Sequence, residues 1–151
     1  MKKSYAILWC TILVLAVAAT GCKEKVKPVS ERIAKAWTAE SVKHGSTVVY
    51  TRGGSSNQTP AYSAFRLTLN NTSGTKTATY TEFDGNTFTG SWDVENDTKL
   101  VLNGLTPAPT GSGGKIEFTI TSIEDSRLVL TRLTTSPKTG GSINEYTLTN
   151  P

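Results

Sequence analysis

From Trp37 to Thr149 the chain is cut by turn-forming residues about every 8 to 12 positions. That spacing admits short strands and leaves no room for the crossover helices a parallel sheet needs. Between the turns, threonines and β-branched residues are frequent, and such side chains suit a pleated surface. The expectation is an all-β domain: an antiparallel up-and-down barrel of about eight strands, with a β-sandwich as the alternative. Closure into a barrel would leave no exposed strand edges.

Candidate strands are Trp37 to Lys43, Thr47 to Thr51, Tyr62 to Asn70, Thr75 to Phe83, Thr87 to Val94, Lys99 to Asn103, Lys115 to Ile123, Arg127 to Leu133 and Ile143 to Thr149. Apolar residues alternate within them. Phe65, Leu67 and Leu69 share one face, and so do Phe88, Gly90, Trp92 and Val94. Asn71 to Gly74, Asp84-Gly85-Asn86, Glu95-Asn96-Asp97 and Glu124-Asp125-Ser126 read as tight turns. Arg52 to Pro60 and Gly104 to Gly114 read as longer loops. Ahead of the first strand, Ser30 is an expected helix N-cap and Glu31 suits the positive end of a helix dipole, so Ser30 to Ala36 is expected to form a short N-terminal helix.

The N-terminal segment has the layout of an export signal. Lys2 and Lys3 precede an uncharged apolar run from Tyr5 to Ala19, and small residues lead into Cys22. The run is about 15 residues, short of the roughly 20 that a membrane span needs. Ala19-Thr20-Gly21-Cys22 resembles the lipobox of bacterial lipoproteins, which implies cleavage before Cys22 and acylation, such as palmitate, on it. The division expected is signal peptide 1–21, lipidated tether 22–29 and barrel domain 30–151. Lys23, rather than aspartate, follows Cys22, so the resemblance implies an outer-membrane destination for the anchor.

Several segments resemble small bacterial lipocalin-like (calycin) lipoproteins. They are Lys35-Ala36-Trp37 at the first strand, which lacks the usual glycine, Thr89 to Val94 followed by Asn96 to Leu102, and Ile120 to Leu130. The resemblance spans most of Ile33 to Leu148 and implies a calycin-type barrel. It also implies an arginine stacked on the first-strand tryptophan to close the barrel floor. Arg132 matches best for Trp37 and Arg127 second, with a solvent-facing Arg132 as the alternative.

Composition narrows the chemistry. The formal charge of +4 falls to +2 when Lys2 and Lys3 leave with the signal, and Lys23, Lys25 and Lys27 sit beside the lipid site. The basic balance is a property of the tether and does not point to nucleic acid. The two cysteines are Cys10 and Cys22, so the domain has no disulfide or thiolate site, and His44 is its only histidine. Nucleophilic catalysis needs a base, and zinc several nitrogen or sulfur ligands. His44 reads as a solvated turn residue. Glu82 and Asp84, or Asp93, Glu95 and Asp97, could form a glycosidase pair, but each stands at a strand end or turn, where acidic side chains bond local backbone. No catalytic residue, metal or cofactor is expected.

Phe65, Leu67, Phe88, Trp92, Phe118 and Tyr146 are the candidates to face the barrel interior, either filling it or lining a small apolar pocket. The expected function is an envelope lipoprotein, attached to the membrane by its N-terminal lipid, that binds a small apolar ligand or serves a structural role. The alternative is a protein-interaction module, such as an inhibitor or envelope-complex subunit of unknown partner, using the loops Arg52 to Pro60 and Gly104 to Gly114. A glycan-acting enzyme ranks below both.

Overall fold

A computed structural model describes residues 26–151. The expected signal segment and Cys22 lie outside the described residues. A four-residue helix α1 (Val29–Arg32) is followed by nine strands: β1 (Ala36–His44), β2 (Thr47–Thr51), β3 (Arg66–Thr72), β4 (Thr75–Thr81), β5 (Thr87–Glu95), β6 (Lys99–Thr106), β7 (Ile116–Ile123), β8 (Arg127–Arg132) and β9 (Asn144–Thr149). From β3 to β9 each strand pairs antiparallel with the next, β1 pairs with β3, and a β1–β9 pairing closes the ring. The result is an eight-stranded up-and-down barrel. The ninth strand, β2, folds back on the end of β1 that β3 leaves free: β3 takes Ala36 to Thr38 and β2 takes Ser41 to His44.

Turn chemistry sets the registers. In β3–β4 the two-residue connection Ser73-Gly74 has positive φ at both positions (51° and 83°), the twist that matches a right-handed hairpin. Asn96 and Asp97 take the left-handed region between β5 and β6 (φ 52° and 57°), which their short polar side chains tolerate.

Two expected boundaries change for physical reasons. β6 does not stop at Asn103. Thr89 pairs with Thr106 while Ser91 pairs with Asn103, so β6 carries one extra residue there. Gly104, at φ 60°, absorbs it as a β-bulge, and the strand resumes with Leu105 buried. Likewise β3 starts at Arg66 and not at Tyr62. Pro60 starts a 3-10 helix, Pro60–Ala64, that carries Tyr62 into the barrel mouth.

The two barrel ends differ. At one end lie α1, Trp37 and the short β3–β4, β5–β6 and β7–β8 turns. Pro28, not Ser30, caps α1: its carbonyl accepts from the Glu31 and Arg32 amides (3.0 and 3.1 Å), and Ser30 falls inside the helix. Ile33 and Trp37 are fully buried, and Trp37 Nε1 donates to the Ile33 carbonyl (2.9 Å). Arg32 bonds the Ile123 carbonyl (2.9 Å) and Lys35 bonds that of Asp125, which ties the helix across the β7–β8 turn. This end is closed. At the other end lie the β1–β2 turn, the segment from Arg52 to Phe65, the β4–β5 turn, the β6–β7 loop and the β8–β9 loop.

Candidate functional site

All six residues expected to face inward are buried, with exposures of 0 to 4 %. They contact one another and their neighbours: Phe65 stacks on Tyr146 (centroids 4.9 Å), Phe118 meets Tyr146 edge-on (6.0 Å), and Tyr80 lies against both Phe65 and Phe88. Trp92 Nε1 donates to the Asn70 carbonyl (2.8 Å). The aromatic side chains thus pack the middle of the barrel. Two surface hollows lie elsewhere. One, of about 370 Å³, is bounded by β2 and Gly54 to Asn57, and one, of about 350 Å³, by Thr38, Tyr50, Arg52 and Arg66. None of the six lines either of them.

The expected Trp37–Arg132 stack does not form. Thr38 pairs with Thr149 and His44 with Asn144, while Arg127 pairs with Thr149 and Thr131 with Glu145. Those registers put Arg132 level with the far end of β1, a barrel length from Trp37. Arg127 is at the tryptophan's end but points outward beside Glu124 (3.6 Å). The cation over the Trp37 ring is Lys35, 5.8 Å from its centre.

Arg132 belongs instead to a buried polar cluster under the loop end, and the inward rows show how it arises. On β8 the row runs Leu128, Leu130, Arg132. On β4 and just beyond it runs Ala78, Tyr80, Glu82. On β9, read toward the same end, it runs Leu148, Tyr146, Asn144. Each row is apolar toward the helix end and polar at the mouth. The 3-10 helix adds Tyr62, and β1 ends there with His44.

Hydrogen bonds run across this mouth. Thr139 and Ser142 in the β8–β9 loop bond Asn144 Oδ1 (3.1 and 2.7 Å), and Asn144 Nδ2 donates to the Tyr146 hydroxyl (3.2 Å). On the opposite wall the Tyr62 hydroxyl meets His44 Nε2 (2.7 Å), so His44 is half-buried and engaged, not a solvated turn residue. Burial lowers the His44 pKa. Burial raises Tyr62, Tyr80 and Tyr146, with Arg132 opposing the rise at all three and Glu82 adding to it. The three phenols therefore stay protonated and share the field of one cation and one carboxylate.

Glu82 and Asp84, whose like charges would repel along one strand face, are joined by a cation from another loop. Lys138 Nζ lies 2.5 Å from Glu82 Oε2 and 2.6 Å from Asp84 Oδ2. The Glu82 contact is an ion pair by distance, though its alignment is poor for a hydrogen bond. Lys138 also stands 5.9 Å above the Phe88 ring. Desolvation opposes the Lys138 charge, but the two carboxylates outweigh it and raise its pKa. Burial pushes Asp84 up, and hydrogen bonds from Lys138 and Asn86 outweigh this and hold it below 3.8. A depressed carboxylate stabilises the fold above its unfolded pKa, and that gain is lost as pH falls through the folded value. Lys138→Met should therefore lower the unfolding midpoint at neutral pH. The deficit relative to wild type should shrink below pH 3.8 as Asp84 protonates, as followed by urea unfolding across a pH series.

Among the described residues no group of three or more His, Cys, Asp or Glu stands close enough to hold a metal ion. Asp93 is held by Lys76 (2.6 Å), Glu95 by Lys99 (2.7 Å), and Asp97 sits in the β5–β6 turn.

The class defined by this geometry is a closed antiparallel barrel, plugged by a short helix at one end and polar-lined beneath loops at the other, the architecture that the lipocalin-like resemblance implied. In its fold the chain is similar to a lipocalin-like protein from Bacteroides uniformis ATCC 8492, with TM-score 0.49 and 15 % identity over 80 % of this chain and 99 % of that one. No protein-family profile and no curated protein sequence matches the chain.

Proposed function

We propose that this protein is a non-catalytic binding lipoprotein of the bacterial envelope, tethered to the outer membrane through Cys22. Its barrel takes a small ligand at the loop end. The observation that carries the reading is the contrast between the two ends. One is sealed by Ile33 and Trp37, and the other holds a buried guanidinium, that of Arg132, whose Nε has no hydrogen-bond partner among the described residues. Buried polar atoms are nearly always hydrogen-bonded, and an exception asks for a functional reason. The packed aromatic middle favours a compact ligand at the mouth over a long apolar one threaded through the barrel.

The anchoring half of the proposal rests on the lipobox-like sequence and on the exposed residues Val26 to Pro28 ahead of α1. Cys22→Ser should abolish acylation and move the protein to the soluble fraction or leave it as uncleaved precursor. Detergent partitioning with intact-mass measurement reads the outcome, and unchanged membrane attachment with a normally processed end would refute it.

A second reading, a protein-interaction module, is favoured by three exposed apolar side chains at the same end: Val48, Leu133 and Ile143 (49, 47 and 37 % exposed). Val48 borders the loop Arg52 to Pro60, and Leu133 and Ile143 stand at the two ends of the β8–β9 loop. Cross-linking in whole cells from a photo-reactive residue at position 143 tests it. A discrete protein adduct supports this reading, and its absence leaves the small-ligand reading.

A further inference from the structure

We infer that the ligand at the loop end is a compact organic monocarboxylate, with Arg132 as its charge partner and the Tyr62 and Tyr146 hydroxyls beside it. This rests on the binding function proposed above and names its chemical class.

Arg132 is 4 % exposed, and its Nε has no hydrogen-bond partner among the described residues. A buried lysine or histidine can shed its proton, but a guanidinium does not, so Arg132 is a standing charge in a low-dielectric setting. Burying an ion without a partner is costly. Among the described residues no carboxylate stands within ion-pair distance of the Arg132 guanidinium. Glu82 and Asp84 share Lys138, Glu117 is taken by Lys99 and Lys115, and Glu145 by Lys43. The remaining partner is an anion from outside.

The surroundings select among anions. A guanidinium fork accepts carboxylate and phosphate alike. Yet Glu82 stands in the same cluster, its charge felt by the same three tyrosines as that of Arg132, and a dianion would meet that repulsion in full. A monoanion meets about half of it. Around the cluster, Tyr62 packs on Phe83 (4.9 Å) and near Tyr146 (6.3 Å), and Phe65 stacks on Tyr146. Such walls favour an apolar, preferably flat, body behind the carboxylate. Because the middle of the barrel is already packed, that body is small.

The test uses phenylacetate, its neutral isostere phenylacetamide and the dianion phenyl phosphate, titrated by calorimetry into the mature protein and into Arg132→Met and Tyr146→Phe. Phenylacetate should bind the wild type about 10- to 100-fold more tightly than phenylacetamide, the worth of a charge-assisted hydrogen bond. Phenyl phosphate should bind more weakly than phenylacetate. Arg132→Met should lose the preference for the acid while its unfolding midpoint rises by about 2 to 8 °C, since an unpartnered buried charge has been removed. Tyr146→Phe, which keeps the ring, should retain the preference at reduced affinity. Equal binding of acid and amide, tighter binding of the phosphate, or an unchanged preference in Arg132→Met overturns the carboxylate assignment and leaves the binding function standing. A lowered midpoint in Arg132→Met makes the arginine a structural residue and also overturns it. If none of the three compounds binds the wild type, this inference falls.

Discussion

Replacing Trp92 by alanine should destabilise the barrel by about 3 to 5 kcal/mol, the range for removing a large aromatic from a packed core. Trp92 is 2 % exposed on the inward face of β5, with Phe88, Gly90 and Val94 in the same row. Its indole N–H reaches the Asn70 carbonyl on β3, two strands away, so the side chain ties β5 to β3 across the inside of β4. Lys76 lies 5.4 Å over the ring. Alanine would lose the packing, leave a void, and strip the Asn70 carbonyl of its donor. Trp92→Phe should cost less, because it refills most of the void. Urea unfolding followed by circular dichroism measures both. A midpoint equal to wild type for the alanine variant would place Trp92 outside and reverse the register of β5.

The next largest effect is expected at Gly90. A Cβ there would stand 2.4 Å from the Asn103 carbonyl oxygen and 3.1 Å from the backbone of Gly104. Those atoms belong to the β6 bulge and cannot swing aside as a flexible side chain could. Gly90→Ala should cost about 1 to 3 kcal/mol, at the upper end of that range, as overpacking against fixed neighbours does. Gly104, directly across, supplies the contrast. A Cβ there meets nothing within 4 Å, but its φ of 60° is left-handed. Gly104→Ala should therefore cost about 1 to 2 kcal/mol through backbone strain alone, and Gly104→Asn less, because asparagine tolerates that region. If Gly104→Ala proved the costlier of the two, clash would not be what fixes Gly90.

The strand pattern was legible because one strong rule governs it. Period-two alternation put Phe65, Leu67, Phe88, Trp92, Phe118 and Tyr146 inside, and all are buried. Turn residues such as Ser73-Gly74 and Asn96-Asp97 fall where positive φ is needed. The errors have equally local causes. Gly104 read as a loop residue, because a bulge and a loop start share the same glycine signal. Tyr62 read as strand by alternation, whereas Pro60 two residues earlier directs a 3-10 turn. The resemblance pairs Arg132 with Trp37, whereas its phase with Leu128 and Leu130 places it inward at the other end. The mouth was the least legible part. Glu82, Arg132 and Asn144 each continue an apolar row, but their meeting depends on ring closure and on which end each strand points to. Lys138 and His44 reach the cluster from loops and strand ends, for which periodicity has no rule.

Whether the loop end of this barrel carries a small molecule is tested most directly by native mass spectrometry of the full, processed protein purified gently from its own cells. The expected result is a discrete mass above that of the processed chain, lost on denaturation and absent from Arg132→Met prepared in the same way. A wild-type protein that shows only the mass of the processed chain under those conditions would contradict the binding function.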